Sequence, residues 1–361
     1  MAFDFDDMEA EAQARLAEGD DVAARQALGA AESPDEWRGG TLPPMRNILD
    51  PKKRALPSRQ DLRKYLEPLR LDIVETFNTR LRLFVFPGAG DSVASWVQFV
   101  NQVPSWIDVA IFERTGHGQR SLEPFAETLV DDAEEAFRAL EAVLAAHAKG
   151  GSFEGAPFAL TAHSMGCQVM MEVALRLKQR MGLQPVAMFP IDRGAPHIPI
   201  YTEEGYRLLC MDEPLEFFEG FNPTVYRLML KPNRHESKDT QRMIEMWKRD
   251  LRLCQEHLWP EGHFIFNCEL HVIKAMRNFA IDASKKALPE EAERVREINC
   301  RITNSGPASA APWSHESFDA WAQWTTSKCT VHSVDADHIG VKLHPTTIQL
   351  LTDVLDSKIM L

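Results

Sequence analysis

Between Leu81 and Pro190 the chain alternates short apolar runs with stretches of helical period, and few folds accept that alternation. Leu81-Arg82-Leu83-Phe84-Val85-Phe86, Val109-Ala110-Ile111-Phe112, Phe158-Ala159-Leu160-Thr161 and Val186-Ala187-Met188-Phe189-Pro190 are four to six residues long and nearly continuous in apolar side chains. Strands covered on both faces look like this, and only parallel sheets with helices on each side bury strands so completely. Between them, Leu129, Ala133, Ala136, Phe137, Leu140, Val143 and Leu144 follow a 3.6-residue period, and Gln168 to Arg180 reads as a second helix. The expectation is an α/β fold built on a doubly wound, mostly parallel sheet.

The period is lost after Tyr201. Residues 201 to about 295 read as a helical block rich in large flexible apolar groups, among them Leu208, Met211, Phe217, Phe218, Met229, Met246 and Trp247. The sheet is expected to resume with Ile298 to Thr303 and Cys329 to Val334, before a last helix from Pro345 to Leu355. A helical block inserted between strands reads as a lid. Its Met, Leu and Phe content suits an acyl chain, and it suits a plain helical core equally well.

Residues 1 to 78 lack this pattern and read as an N-terminal extension ahead of a unit spanning 79–361. The first 36 residues hold eleven Asp and Glu against Arg15 and Arg25, so most of the net charge of -13 lies there. From Arg38 to Arg70 the balance reverses, with nine Lys and Arg against three acids. The extension is assigned to contact with a protein partner, regulation or disorder. The acidic whole argues against nucleic acid as a partner. No apolar stretch is long enough to span a membrane, and the acidic start fits neither an export signal nor a transit peptide. The six cysteines have no C-x-x-C spacing and read as reduced, buried thiols, consistent with a cytoplasmic setting.

The chemistry concentrates in the turn Ala162-His163-Ser164-Met165-Gly166. A serine on a sharp strand-to-helix turn needs small residues two places before and after it, which Ala162 and Gly166 supply. Such a turn presents Ser164 as a nucleophile above the carboxyl edge of the sheet and offers the Met165 N–H as one oxyanion donor. A second donor in this architecture comes from the turn after an early strand. Phe86-Pro87-Gly88-Ala89-Gly90 is that turn, with the Ala89 N–H as the candidate. Val331 to Val334 leads into a loop carrying His338, the one of twelve histidines with the topology of a general base. His163 is expected to point into the fold, and His117, His197 and His344 to be structural or surface groups. His257, His263, Glu269 and His271 have no compact ligand spacing, so neither a metal nor another cofactor is expected.

Taken in order, Phe84 to Gly90 with Trp96, Arg114-Thr115-Gly116-His117-Gly118-Gln119-Arg120, Ala162 to Gly166, Arg193-Gly194-Ala195-Pro196-His197, Pro312-Trp313 and Asp337-His338 make the region from Leu81 to Leu355 resemble a type II thioesterase. These are the stand-alone editing and chain-releasing hydrolases of polyketide, nonribosomal-peptide and medium-chain fatty acid synthesis. The resemblance implies an α/β-hydrolase fold and hydrolysis of acyl thioesters carried by an acyl carrier protein, phosphopantetheine or coenzyme A. It implies Ser164 as nucleophile, His338 as base and the Ala89 and Met165 amides as oxyanion hole. Arg114, Arg120 or the basic stretch from Lys52 to Lys64 would then be positioned for a phosphopantetheine phosphate or an acidic carrier.

Three departures stand out. Alanine replaces the usual glycine at Ala162, and glycine replaces the usual histidine at Gly88. The family's aspartate, directly before a proline, is here Ala311. Asp192, at the end of the strand after the nucleophile helix, is the first candidate for a relocated acid, as the integrated thioesterase domains of polyketide synthases resemble. Glu316 and Asp319 are the alternatives, while Asp337 adjoins His338 too closely to orient it. A carboxylesterase or acyltransferase with the same groups, or a binding protein that has lost its acid, remain open readings.

Overall fold

A computed structural model of the chain describes residues 48–49, 80–147, 157–261, 266–278, 289–304 and 315–359. Its centre is one parallel sheet. Strand β1 (Ile48–Leu49) is a two-residue edge, followed by β2 (Leu81–Phe86), β3 (Ile107–Phe112), β4 (Phe158–His163), β5 (Ala187–Ile191), β6 (Glu269–Ala275) and β7 (Cys329–Val334). Their spatial order is β1-β3-β2-β4-β5-β6-β7, and every pairing is parallel. Along β2, β3, β4 and β5 nearly every residue is buried, as their nearly continuous apolar runs require, the exceptions Arg82 and Asp108 pairing with each other. The segment ahead of residue 79, read from sequence as an extension, thus contributes a short edge pair to β3.

The strand order reverses between β2 and β4, which lie side by side with β3 on the other flank of β2. In open parallel sheets ligands bind outside the carboxyl ends of the strands at such a reversal. Helix α1 (Val97–Gln102) follows the turn after β2, α2 (Leu129–His147) follows β3, and α3 (Gly166–Arg176) follows β4. Two apolar cores flank the sheet. One joins α2 and α3 to the inserted helices; the other gathers Leu81, Val85, Trp96, Phe99, Ile111, Ile273, Leu351 and neighbours beneath α1 and the C-terminal helix.

After β5 come α4 (Glu203–Leu209), α5 (Leu215–Phe221), α6 (Pro223–Leu230) and α7 (Lys238–Glu256). The helical block expected to run to residue 295 therefore ends at Glu256, and β6 lies inside the expected range. Glu269, His271 and Lys274 interrupt the apolar run of β6. The fold accommodates them individually: His271 stacks between Phe189 and His332, and the Lys274 ammonium lies 5.1 Å from the Phe318 ring centroid. Ile298 to Thr303, expected as a strand, is instead the end of helix α8 (Pro289–Ile302) and the residue after it. Its true apolar face is Ile298 and Ile302, packed where Gly220 and Gly205 admit them. Helices α9 (His315–Asp319) and α10 (Pro345–Ile359) complete the described chain.

All six cysteines are free, but Cys210 is exposed and Cys300 and Cys329 are half-buried, so only Cys167, Cys254 and Cys268 are the buried thiols expected. Among the described residues no helix is long and apolar enough to cross a membrane.

Candidate active site

Strand β4 ends at His163, and the chain reverses through Ser164 with φ at 51°. A non-glycine residue in the left-handed region carries a local cost of order 1 kcal/mol, and here the cost turns the side chain off the sheet while α3 starts at once. The Ser164 amide is held by the Ile191 carbonyl at 2.9 Å. The tightness of the turn is visible at Gly166, where a Cβ would sit 2.2 Å from the Phe86 oxygen and 2.5 Å from that of Pro87. Helix α3 thus starts in contact with the end of β2, a separation only glycine permits. Met165 is buried and Ser164 half-buried.

The turn after β2 closes against this elbow. Asp91 N–H reaches the Gly88 oxygen at 3.3 Å, and a Cβ built on Gly88 would lie 3.3 Å from Ser164 Cβ. Ala89, the next residue, is buried beside it. Gly90 has φ at 67°, and its amide donates to Asp250 Oδ2 at 2.8 Å. Two further carboxylates hold the turn. Glu113 Oε1 accepts the Val93 N–H at 3.1 Å, and Asp91 Oδ2 receives the buried Lys342 ammonium at 2.6 Å. Burial pushes the Glu113 carboxyl up to about 7, against the opposing pull of the Val93 amide and of His117 and Arg120. Burial alone would raise Asp91 too, but Lys342 and His163 outweigh it and hold that carboxyl well below its usual range.

His338 lies on the loop after β7. Its Nδ1–H donates to Asp192 Oδ2 at 2.6 Å, while Asp192 Oδ1 accepts the Ala275 N–H at 2.9 Å. Asp192 is fully buried and, like Ser164, adopts a left-handed conformation, with φ at 47°. Its own amide is bound to the Ile273 oxygen at 2.7 Å. The residue is therefore held by β6 at both its amide and one carboxylate oxygen, and β6 is the strand that the sequence did not reveal. Asp192 and Arg193 do not form a surface ion pair: Arg193 is buried, and its guanidinium reaches the Ile198 oxygen at 3.2 Å. Glu316 and Asp319 are exposed on α9, and Ala311 lies outside the described residues. Asp337 caps the turn after His338, accepting the Ile339 and Gly340 amides at 3.0 and 2.7 Å.

His163 points inward, as expected, and touches the same loop. Its Nε2–H donates to the His338 carbonyl at 2.7 Å, and the two rings stand 4.6 Å apart. Burial brings the imidazole down to about 4, helped by His338 and Lys342 and opposed by Asp91 at 3.8 Å, so the ring is neutral near pH 7.

The phosphate-binding role expected of Arg114 or Arg120 fails on geometry. Arg114 is buried, bidentate to Asp250 at 2.8 and 2.9 Å and paired with Asp132 at 2.6 Å. Arg120 is engaged by Glu123 and Glu135. Neither guanidinium is available to a phosphate, and the Lys52 to Lys64 stretch lies outside the described residues. His117 is a structural group against Asp250 at 2.8 Å, and His197 accepts the Trp324 indole N–H at 3.2 Å. His257 pairs with Glu172 and His271 with Glu269; His263 lies outside the described residues. Among those residues no cluster of His, Cys, Asp and Glu could hold a metal.

The family model for the thioesterase domain matches residues 81–349, most of the chain. The protein belongs to the thioesterase family. As a member it is a thioester hydrolase on an α/β-hydrolase fold. Among curated relatives of this thioesterase, the S-acyl fatty acid synthase thioesterase, medium chain, of Anas platyrhynchos is 32% identical over 196 residues, covering 54% of this chain and 72% of the relative. The linear gramicidin dehydrogenase LgrE of Brevibacillus parabrevis is 24% identical over 279 residues, 76% of this chain and 87% of that one. Of solved structures, that of ClbQ from the colibactin NRPS/PKS pathway superposes with a TM-score of 0.56 at 17% identity, covering 77% of the thioesterase and 98% of ClbQ.

Sequence reasoning missed Asp91, Glu113, Asp250 and Lys342 as groups of this site. Asp91 lies in the turn after β2 itself, whereas Glu113, Asp250 and Lys342 reach that turn from distant elements, and only a buried charge beside otherwise apolar segments, as at Glu113 directly after β3, signals them.

Proposed function

We propose that this thioesterase hydrolyses acyl thioesters through an acyl-enzyme on Ser164. The reading is carried by one observation, the fully buried Asp192 bound to His338 Nδ1 at 2.6 Å at the strand end beside the Ser164 turn. Asp192 holds His338 as the tautomer whose Nε2 lone pair can accept a proton. Ser164 Oγ attacks the thioester carbonyl as its proton passes to His338 Nε2. The oxyanion is met by the Ala89 and Met165 amides. Collapse breaks the C–S bond, and the thiolate leaves with the proton from His338. Water then attacks the acyl-serine ester, losing its proton to His338, and the ester oxygen regains that proton as the carboxylic acid departs.

The acyl group is read as carrier-bound, on an acyl carrier protein, phosphopantetheine or coenzyme A, in the chemistry of chain editing or release. The fatty acid synthase thioesterase and the NRPS/PKS pathway protein among its relatives support this. The inserted helices α4 to α7, with α8 packed on them, act as a lid over the carboxyl edge, although Phe217, Phe218, Leu208 and Met229 are core groups rather than chain lining. The six free thiols favour a cytoplasmic setting. Residues 1–78 are read as an extension of separate role whose Ile48–Leu49 pairs at the sheet edge.

Labelling by a fluorophosphonate probe, read by intact mass and competed with acyl thioesters of graded length, tests the reading. A single adduct on Ser164, lost in Ser164→Ala together with turnover, is the expected result. Turnover retained by Ser164→Ala overturns it. Faster cleavage of oxygen esters than of thioesters with the same acyl chain would make the protein a carboxylesterase by preference.

A further inference from the structure

The turn proposed to carry the oxyanion donor Ala89 is held by an element outside the sheet. Asp250 lies on α7, far along the sequence from Gly90, yet its Oδ2 accepts the Gly90 N–H at 2.8 Å. The same carboxylate receives the Arg114 guanidinium at two nitrogens and His117 Nε2 at 2.8 Å. Asp250, Arg114 and His117 are all buried, and Arg114 is tied in turn to Asp132 on α2. One turn before Asp250 on the same helix, Trp247 fills the other side of the contact: a Cβ on Gly90 would lie 2.2 Å from its indole. Gly90 is therefore fixed by a hydrogen bond and by a steric wall, both from α7.

A buried ion pair such as Asp250 with Arg114 is a poor way merely to seat a helix, since the cost of burying the charges offsets most of their attraction and apolar residues of similar volume hold as well. What the carboxylate supplies instead is direction. Binding the Gly90 N–H sets the plane of the Ala89–Gly90 peptide and with it the backbone of Ala89. An oxyanion hole works only if its donors are aligned before charge develops.

We propose that Asp250 is a positioning residue that makes the oxyanion hole depend on the seating of the lid helix α7. The inference rests on the reading of the Ala89 amide as an oxyanion donor. When α7 is seated, the turn is aligned for the tetrahedral intermediate. When α7 lifts, the acceptor and the Trp247 wall leave together and the turn relaxes. The enzyme is then fully competent only with its lid in place, which guards the acyl-enzyme chemistry until substrate is enclosed.

The test compares Asp250→Asn and Asp250→Ala with the parent in steady-state thioester hydrolysis, in inhibition by an acyl trifluoromethyl ketone that forms a tetrahedral oxyanion on the serine, and in thermal unfolding. The expected result is a kcat about 10- to 100-fold lower in Asp250→Ala and less reduced in Asp250→Asn, with KM within about twofold and the ketone Ki raised by the same factor as kcat falls. Unchanged kcat and Ki in folded Asp250→Ala overturn the proposal, as does a rise in KM alone, which would mark a role in enclosing substrate. Should Asp250→Ala not fold, the double variant Asp250→Leu with Arg114→Gln removes the acceptor and its buried counter-charge together and is read by the same criteria. Loss of turnover in Ser164→Ala alongside full activity in the Asp250 variants sinks this inference alone; activity in Ser164→Ala sinks the underlying mechanism.

Discussion

Replacing Asp192 by asparagine isolates the contribution of one proton position. The Ala275 N–H, 2.9 Å from Oδ1, demands an oxygen on its side of the carboxamide. An asparagine would therefore place its NH2 where Oδ2 now stands, 2.6 Å from His338 Nδ1. That donor forces Nδ1 to accept, which moves the ring proton to Nε2 and leaves no lone pair for Ser164. In a serine protease the equivalent change lowers kcat by about 10⁴, and the same inversion predicts a similar loss here, about 5.5 kcal/mol of transition-state stabilisation. Folding should be little affected, because asparagine tolerates the left-handed backbone that Asp192 occupies with φ at 47°. The assay is thiol release from an acyl-coenzyme A or acyl-pantetheine substrate, followed with a thiol reagent, beside the melting temperature of each variant. Glu316→Gln and Asp319→Asn, both at exposed positions on α9, serve as comparisons and should stay within about twofold of the parent. An Asp192→Asn enzyme retaining a tenth of its kcat, or a comparable collapse in either comparison variant, would refute the tautomer argument.

Two other perturbations follow from the same region. Gly166→Ala would drive a methyl group into the Phe86 and Pro87 carbonyls; a cost of about 3 kcal/mol is expected, a fall in melting temperature of roughly 5–10 °C, with kcat falling as Met165 shifts. A melting curve matching the parent would show that the elbow is looser than this contact implies. Glu113 has a folded pKa of about 7 against 4.5 for the free group, so the folded state holds a proton that the unfolded chain has released between those values. Its contribution is full below about pH 4.5 and is lost as pH rises through 7, about 3 kcal/mol in all. Glu113→Gln should flatten the stability profile between pH 5 and 8 and raise stability at pH 8; an unaltered profile from chemical denaturation would contradict it.

Much of this arrangement is legible in the sequence because it is local. Strands β2 to β5 are nearly continuous apolar runs buried on both faces, α2 carries a 3.6-residue stripe, and the Ser164 turn announces itself by the small residues Ala162 and Gly166 around it. β6 is hidden because Glu269, His271 and Lys274 break its apolar run, and nothing local says that Phe189, His332 and Phe318 will cover two of them. The end of α8 is hidden because Ile298, Cys300 and Ile302 fit a period of two as well as a helix, and only contact with Gly220 and Gly205 decides between them.

The division at the candidate site follows the same physics. Backbone strain and steric room are encoded within a few residues, so the sequence by itself determined the sharp turn at Ser164, the tight turn at Gly88 to Gly90 and the loop that carries His338. Which carboxylate meets His338 is a question of distance between strand ends, and the absence of an acid at Ala311 only posed it. Tertiary structure decided it, because β5 and β6 lie side by side and the Ala275 amide fixes Asp192 where His338 arrives from the far end of the chain. The fixing of the Gly90 peptide by Asp250 belongs to the same class: 160 residues separate the partners, and no pattern along the chain can specify a hydrogen bond that exists only once α7 has been laid over the sheet.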